Sequence, residues 1–237
     1  MNYRTSGPSG GTLNTIMTSF GTLSLSEIAE ATNPFTLAVS TPKDMPKSSP
    51  LRKTLGVRYV RDLGILTTAP TGMADITIVH RSSTLMPEFY GPRFYYRQSL
   101  YVRNIVLGVL AHVALMAGLA LLLLPFVRSL LKTFVYTPGN GPRIDDSIED
   151  HVEFRAIATA DQSTISKRVF GKLKYTGSMY AFSGVCLAEA ALVILQNEQK
   201  VRRVSGCGIV TPATLGQEYV DRLNQAGCTI ETQILDS

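Results

Sequence analysis

A four-residue stretch, an Arg-Ser pair and one tyrosine are the positions in this sequence whose residue types suit chemistry. Ser9-Gly10-Gly11-Thr12 precedes Leu13, Ile16, Met17 and Phe20, which fall at helical spacing, with Thr12 placed to cap the start. Backbone amides at a helix start can face an anion or a carbonyl oxygen. The same four residues also read as an N-cap with close helix packing. Arg81 and Ser82, at the end of a strand-like stretch, can bind an acidic or carbonyl group, or equally form a surface salt bridge. Tyr180 can donate a proton to a developing enolate or alkoxide. Its other reading is a buried structural tyrosine. Glu189, in mid-helix, is expected to pair locally.

Other chemistries lack their residues. No G-x-G-x-x-G follows a strand, and neither Gly7 to Gly11 nor Gly206-Cys207-Gly208 pairs the right spacing with an acidic residue about 20 positions on. No Walker loop, G-x-S-x-G elbow or H-E-x-x-H occurs. Cys186, Cys207 and Cys228 make no C-x-x-C pair, so reduced, inert thiols in an intracellular protein are expected. His80, His112 and His151 stand far apart and read as isolated core or surface residues, so no metal is expected. Basic and aromatic residues do not alternate as in a nucleic-acid module, and no nucleic-acid partner is expected.

The elements that must position these residues alternate loosely between strand and helix, which makes the class α/β or α+β with a mixed sheet and flanking helices. After the first helix comes an amphipathic turn at 25–31, then a loop from Thr32 to Pro50 with four prolines. Strand-like pieces follow at 56–60, 65–69 and 73–80, and the aromatic-rich 89–101 suits a strand on a sheet. Beyond the turn at 137–142, a strand at 153–158 leads to a helix over 180–197. That helix is expected to bury Val185, Leu187, Ala188, Ala191, Leu192 and Leu195. A strand at 207–210 runs into Thr211-Pro212, a helix start. The last helix, carrying Leu215, Tyr219, Val220, Leu223 and Ala226, stops at Gly227 before a strand over 229–234.

Between the halves lies an uncharged apolar run, Ile105 to Val127, whose only polar side chain is His112. About 20 such residues cross a bilayer as a helix, although a buried core helix is the alternative. Tyr95, Tyr96, Arg97, Tyr101 and Arg103 precede the run and Arg128 and Lys132 follow it, as a headgroup belt would require. The segment before the run holds 11 Lys/Arg against 6 Asp/Glu, and the segment after it 12 against 12. A basic flank beside an apolar helix suits an anionic lipid surface. The residues MNYRTSGPSGG lack the apolar core of a signal peptide, so membrane contact is expected through the internal run.

Spaced elements join these pieces into a family pattern. Ser9-Gly10-Gly11-Thr12 is followed by Asp75, Val79 and Arg81-Ser82 in a D-x-x-x-V-x-R-S order, and by Tyr90-Gly91-Pro92, Phe94 and Tyr96 in a Y-G-x-x-F-x-Y order. Pro138-Gly139-Asn140-Gly141-Pro142 comes next. Tyr180, Ser183 and Leu187-Ala188-Glu189-Ala190-Ala191-Leu192 then lead to Gly208, Thr211-Pro212-Ala213, Arg222-Leu223 and Ala226-Gly227. In this order the chain resembles the C-terminal half of saccharopine dehydrogenase-like oxidoreductases, the group that includes trans-acting enoyl reductases.

That resemblance implies the substrate-side half of an NAD(P)H-dependent reductase acting on lipid or polyketide-like chains. The family's Rossmann-type domain would precede Ser9, and it is expected to be missing here, so no cofactor would be bound by this chain alone. Residues 1–103 and 133–237 would be two parts of one α+β domain, with 104–132 the membrane-associating segment. Ser9 to Thr12 would lie at the domain junction, facing a cofactor phosphate or a substrate carbonyl. The exposed junction would bind a protein partner or a second copy. Gly177-Ser178-Met179-Tyr180 departs from the family's D-P-G-Y, which puts the local turn in question. Segments on both sides of the apolar run would share one fold, so a one-leaflet anchor bent near Gly118 is expected, on a lipid droplet or endomembrane. A non-catalytic, membrane-bound scaffold that has lost cofactor binding is the competing class, and a single-span protein unrelated to oxidoreductases is a third.

Overall fold

The computed structural model describes residues 2–4, 7–41, 49–133, 139–141, 149–161, 167–205 and 210–235. Pro138, Pro142 and the expected strand at 207–209 lie outside these residues, as do Cys207 and Gly208. In chain order the elements are β1 (Asn2–Arg4), α1 (Gly10–Thr22), α2 (Leu25–Ala31), α3 (Pro50–Leu55), β2 (Arg58–Val60), β3 (Gly64–Thr68), α4 (Gly72–Leu85), α5 (Pro87–Tyr90) and β4 (Ser99–Tyr101). Then come α6 (Ile105–Leu121), α7 (Pro125–Leu131), β5 (His151–Thr159), β6 (Arg168–Thr176), α8 (Met179–Gln196) and α9 (Glu198–Ser205). A 3-10 turn (Pro212–Leu215), α10 (Gly216–Gln225) and β7 (Thr229–Leu235) complete the order.

Two sheets form, ordered β1-β5-β6-β7 and β2-β3-β4, and every pairing in them is antiparallel. This is the α+β branch of the expectation, with two small antiparallel sheets in place of one mixed sheet. The larger sheet draws on both sides of the apolar run, because Tyr3 pairs with Val152. Its central strand β6 was not foreseen. Lys172 and Lys174 interrupt its apolar pattern, although Val152–Tyr175 and Leu173–Ile230 set its register between β5 and β7.

The core sits where α8, α9, the 3-10 turn and α10 cover this sheet. Val193, Val201, Leu215, Tyr219, Leu223 and Cys228 are buried there, with Tyr175, Phe182 and Val185 packed against them. The Tyr219 hydroxyl donates to the Cys186 carbonyl at 3.0 Å. Burial pushes its phenol up and raises both the Cys186 and Cys228 thiols, which keeps the two cysteines protonated and unreactive. Gly227, at φ +94°, ends α10 as expected.

Three expectations are corrected. Residues 73–80 are helix, not strand. α4 buries Thr77, His80 and Ser82 while Met73 and Ile78 point outward, so its inward face is polar and its apolar pattern misleads. The buried hydroxyls bond back one turn, Thr77 to the Met73 carbonyl at 2.8 Å and Ser82 to the Ile78 carbonyl at 2.9 Å. In 89–101, only Ser99–Tyr101 is strand. The rings before it stack against α4 instead, with Tyr90 and Phe94 4.6 Å apart and Phe94 6.0 Å from His80. Finally, α8 is apolar all round, so its pattern names no inner face. Val193 faces the core, whereas Leu187 (73% exposed) and Leu195 (79%) point outward with Ala188, Ala191 and Leu192.

The apolar run is two helices meeting at 105°, with the break at Leu122–Leu124 and not at Gly118. Pro125 explains the position, since it opens α7 and holds Leu124 in extended backbone. The Arg128 guanidinium donates to the Leu122 carbonyl at 2.6 Å and so caps the end of α6. One face of α6 rests on the small sheet. Gly108 is buried there, the Thr67 hydroxyl donates to its carbonyl at 2.8 Å, and His112 Nδ1 lies 2.9 Å from Thr68 Oγ1. The other faces expose Ile105, Val106, Leu110, Val113 and Met116.

Candidate functional site

The N-termini of α1 and α8 meet, and Tyr180 is the side chain between them. Ser9 is the N-cap of α1, its hydroxyl accepting from the Thr12 amide at 3.3 Å. Thr12, expected as the cap, is one turn further in and turns its hydroxyl toward Ser9 Oγ at 3.2 Å. The Ser9 backbone N–H donates to the Tyr180 phenolic oxygen at 2.7 Å, and Thr12 Oγ1 lies 3.0 Å from the same oxygen. The Tyr180 side chain is otherwise open, with the residue 49% exposed, which sets aside the buried structural tyrosine.

Local sequence builds each part. Gly177 takes φ +138°, where a Cβ would stand 2.8 Å from the Tyr175 ring. Its amide donates to the Asp150 carbonyl at 2.9 Å. Ser178 then caps α8 by accepting from the Ala181 amide at 3.1 Å. Gly177-Ser178 therefore makes the turn and cap that open α8. Opposite, the Gly10 amide donates to the Asn140 carbonyl at 2.9 Å, and Gly141 packs so closely that a Cβ there would lie 3.2 Å from that of Ser9. Three stretches far apart in sequence thus converge on one phenol.

Burial is the largest single influence on the Tyr180 phenol and raises its pKa, but the hydrogen bonds with Ser9 and Thr12 together outweigh it and lower the pKa below the ordinary tyrosine value. Donors aimed at the oxygen stabilise the phenolate. With Ser9 donating to one lone pair, an exposed and acidified O–H can be offered outward to a carbonyl oxygen.

The remaining candidates lie elsewhere. Arg81 reaches the Leu37 carbonyl at 3.4 Å. Ser82 is buried and lies 2.8 Å from Thr211 Oγ1, so it ties α4 to the 3-10 turn. Thr211 holds the N-cap position without a side-chain cap, while its carbonyl accepts from the Thr214 amide and hydroxyl at 3.0 and 2.6 Å. Glu189 pairs with Arg222 of α10 at 2.7 Å, across 33 positions and not locally. NAD(P)H, implied by the resemblance, does not fit the helix start as a phosphate cradle. The Ser9, Gly10 and Thr12 amides are engaged by Tyr180, Asn140 and Ser9, and a Cβ at Gly11 would meet nothing nearer than Ser9 Oγ at 3.8 Å. Among the described residues no three His, Cys, Asp or Glu side chains are grouped as metal ligands.

Sequence reasoning missed a second feature, a cavity of about 730 Å³ between the two sheets lined by Arg52, Arg58, Arg97, Arg155 and Arg168. Tyr95, Tyr96, Arg97 and Tyr101, expected in a membrane belt, face this cavity.

Comparison with known proteins yields two matches of the same kind. Over 180 residues the chain is 31% identical to proteins of Mycobacterium tuberculosis strains H37Rv and CDC 1551 that carry the provisional name trans-acting enoyl reductase. The match covers 71% of this chain and 41% of each relative, so the chain spans about two fifths of their length. Over this stretch the chain is similar to proteins so named. No family model matches, and no solved structure matches.

Proposed function

We propose that this chain is the substrate-side half of a saccharopine dehydrogenase-like, NAD(P)H-dependent enoyl reductase that acts on lipid or polyketide-like chains at a lipid surface. The observation that carries this reading is the exposed Tyr180 phenol held by the Ser9 amide and the Thr12 hydroxyl. Reducing an enone or enoyl thioester builds negative charge on its carbonyl oxygen. A pre-positioned phenol answers that charge by hydrogen bonding and then by giving its proton. The hydride would come from NAD(P)H held by another part of the protein or by a partner. The outward apolar face of α8, which starts beside Tyr180, supports such a covering partner.

The lipid contact rests on the bent α6–α7 unit. A single crossing would place Tyr3 and Val152, paired in one sheet, on opposite sides of the membrane. A one-leaflet anchor avoids that conflict, and α6, at about 26 Å of helix, is long enough to lie in or dip into one leaflet. Lipid droplets or endomembranes are the surfaces proposed. Protease treatment of protein bound to vesicles should cleave both flanks and spare 105–131. Protection of one whole flank would refute the anchor.

The native protein, isolated from its own cells, tests the chemistry through NADPH oxidation in the presence of an enoyl thioester. Tyr180→Phe should lower kcat about 100-fold or more, the usual range for a lost general acid, with NADPH binding unchanged. A normal rate in that variant would remove Tyr180 from the reaction. The engagement of the Ser9, Gly10 and Thr12 amides favours a second reading, a membrane-bound scaffold without cofactor binding. Saturable NADPH binding by the native protein would exclude it.

A further inference from the structure

Five arginines line the inter-sheet cavity. Arg168 has Asp62 at 2.5 Å and Arg155 has Glu153 at 2.5 Å. Among the described residues no carboxylate pairs with Arg52 or Arg58. Arg58 donates to Ser99 Oγ at 3.1 Å, while its Nε is buried without a hydrogen-bond partner. Burial lowers the pKa of this guanidinium, and the nearby Arg97 and Arg52 cations add to the effect while Tyr95 opposes it. A core could place leucine or methionine at this position with no such conflict. Keeping an incompletely bonded arginine beside two others is a pattern that a bound anion resolves.

The walls define the rest of the ligand. Leu66, paired across the strands with Arg58, and Phe154 and Ile157 of β5 add apolar surface to the cavity lining, and about 730 Å³ falls within the range of small-molecule sites. Beyond Glu153, the edge of β5 away from β6 pairs with no described strand, which leaves this side of the sheet open to the cavity. The small sheet also carries the membrane helix. Leu66 lines the cavity, while the hydroxyl of the next residue, Thr67, bonds the Gly108 carbonyl of α6. Arginine forks match phosphate oxygens in pairs, as a lysine would not.

We propose that this cavity binds an amphipathic phosphate, its phosphomonoester head held by Arg58 with Arg52 and Arg97, its apolar body against Leu66, Phe154 and Ile157. The ligand could be a soluble phosphate ester or a phospholipid headgroup, because the recognised chemistry is the same. This site is separate from Tyr180 and does not depend on the reductase reading.

The test is calorimetric titration of the full chain in neutral detergent with dodecyl phosphate, inorganic phosphate and dodecanol, and flotation with phosphatidylcholine vesicles with or without phosphatidic acid. Saturable binding of dodecyl phosphate, with inorganic phosphate competing, is expected for a soluble ester. Binding that needs phosphatidic acid in vesicles assigns the headgroup instead. Arg58→Gln should weaken either by about 10-fold or more, the usual effect of losing a charge-assisted bond, with thermal stability equal to or above that of the parent. Arg52→Gln, an exposed change on α3 that leaves the fold intact, should weaken binding several-fold. The proposal is overturned if dodecanol binds as well as dodecyl phosphate, if neither phosphate probe binds saturably, or if both arginine variants retain parental affinity.

Discussion

His80 offers a sharp test of the packing behind the cationic cavity, which Tyr95 also lines. It is 1% exposed, and neither ring nitrogen has a hydrogen-bond partner. Its surroundings are rings: Phe35 at 4.4 Å, Tyr95 at 5.9 Å and Phe94 at 6.0 Å. Burial holds its pKa below the ordinary 6.5, with the Tyr96 backbone opposing only in part. An unpartnered buried ring nitrogen costs about 1–3 kcal/mol, and the ring contacts return about 0.5–1.5 kcal/mol. His80→Leu should therefore leave stability near neutral pH unchanged or raise it by up to about 2 kcal/mol. The sign of the pH effect follows from the depressed value. Above 6.5 both the folded and the unfolded chain keep the ring neutral. As pH falls, the unfolded chain takes up a proton that the folded chain resists, so stability is lost. As pH falls below about 6.5 the parent should lose more stability than His80→Leu. Urea unfolding in neutral detergent above and below that pH measures this. A variant destabilised by more than about 2 kcal/mol at neutral pH, or one with the parent's acid sensitivity, would refute the account of a neutral, unpartnered ring.

Three further outcomes are expected. Gly56→Ala forces a Cβ within 2.1 Å of the His112 ring at a position with φ +64°, so it should destabilise by about 2–4 kcal/mol in thermal unfolding. An unchanged melting temperature would mean that α6 does not rest on the small sheet. Glu189→Gln removes the negative charge that pairs with the Arg222 cation, which also donates to Gln196 Oε1 at 3.3 Å, and a loss of about 1–3 kcal/mol is expected. Reversal by Arg222→Met in the double variant would assign that loss to the stranded charge. Thr12→Val removes one partner of the Tyr180 oxygen, and the Tyr180 phenolate, followed by ultraviolet absorbance against Tyr180→Phe as blank, should form at higher pH than in the parent. An unmoved titration would place the acidifying influence elsewhere.

What could be read before folding divides along physical lines. The ends of elements were legible because caps act locally. Thr211-Pro212 opens a turn, Gly227 closes α10, and the helix expected over 180–197 is α8 nearly to the residue. Inner faces were not legible where a helix is apolar all round, as in α8, or turns hydroxyls inward, as in α4. The cationic cavity was invisible for another reason. Its arginines come from α3, β2, the 95–98 segment, β5 and β6, and no local pattern joins them.

The Tyr180 site lies between these cases, since its members were named but their meeting was not. Register decides that meeting. Ser178 sets the start of α8, and Tyr180, two residues on, lands facing the cap of α1. Starting the helix one residue later would turn Tyr180 by about 100° and break both of its hydrogen bonds. The cap that sets this register is Ser178, which therefore stands at the point that aims the phenol. Ser178→Ala, which removes the cap, should raise the Tyr180 titration toward its ordinary value along with any loss in helix stability, since the two share a cause. If the titration stays low while the helix weakens, the phenol is held by Ser9 and Thr12 alone, and the register of α8 is not what positions it.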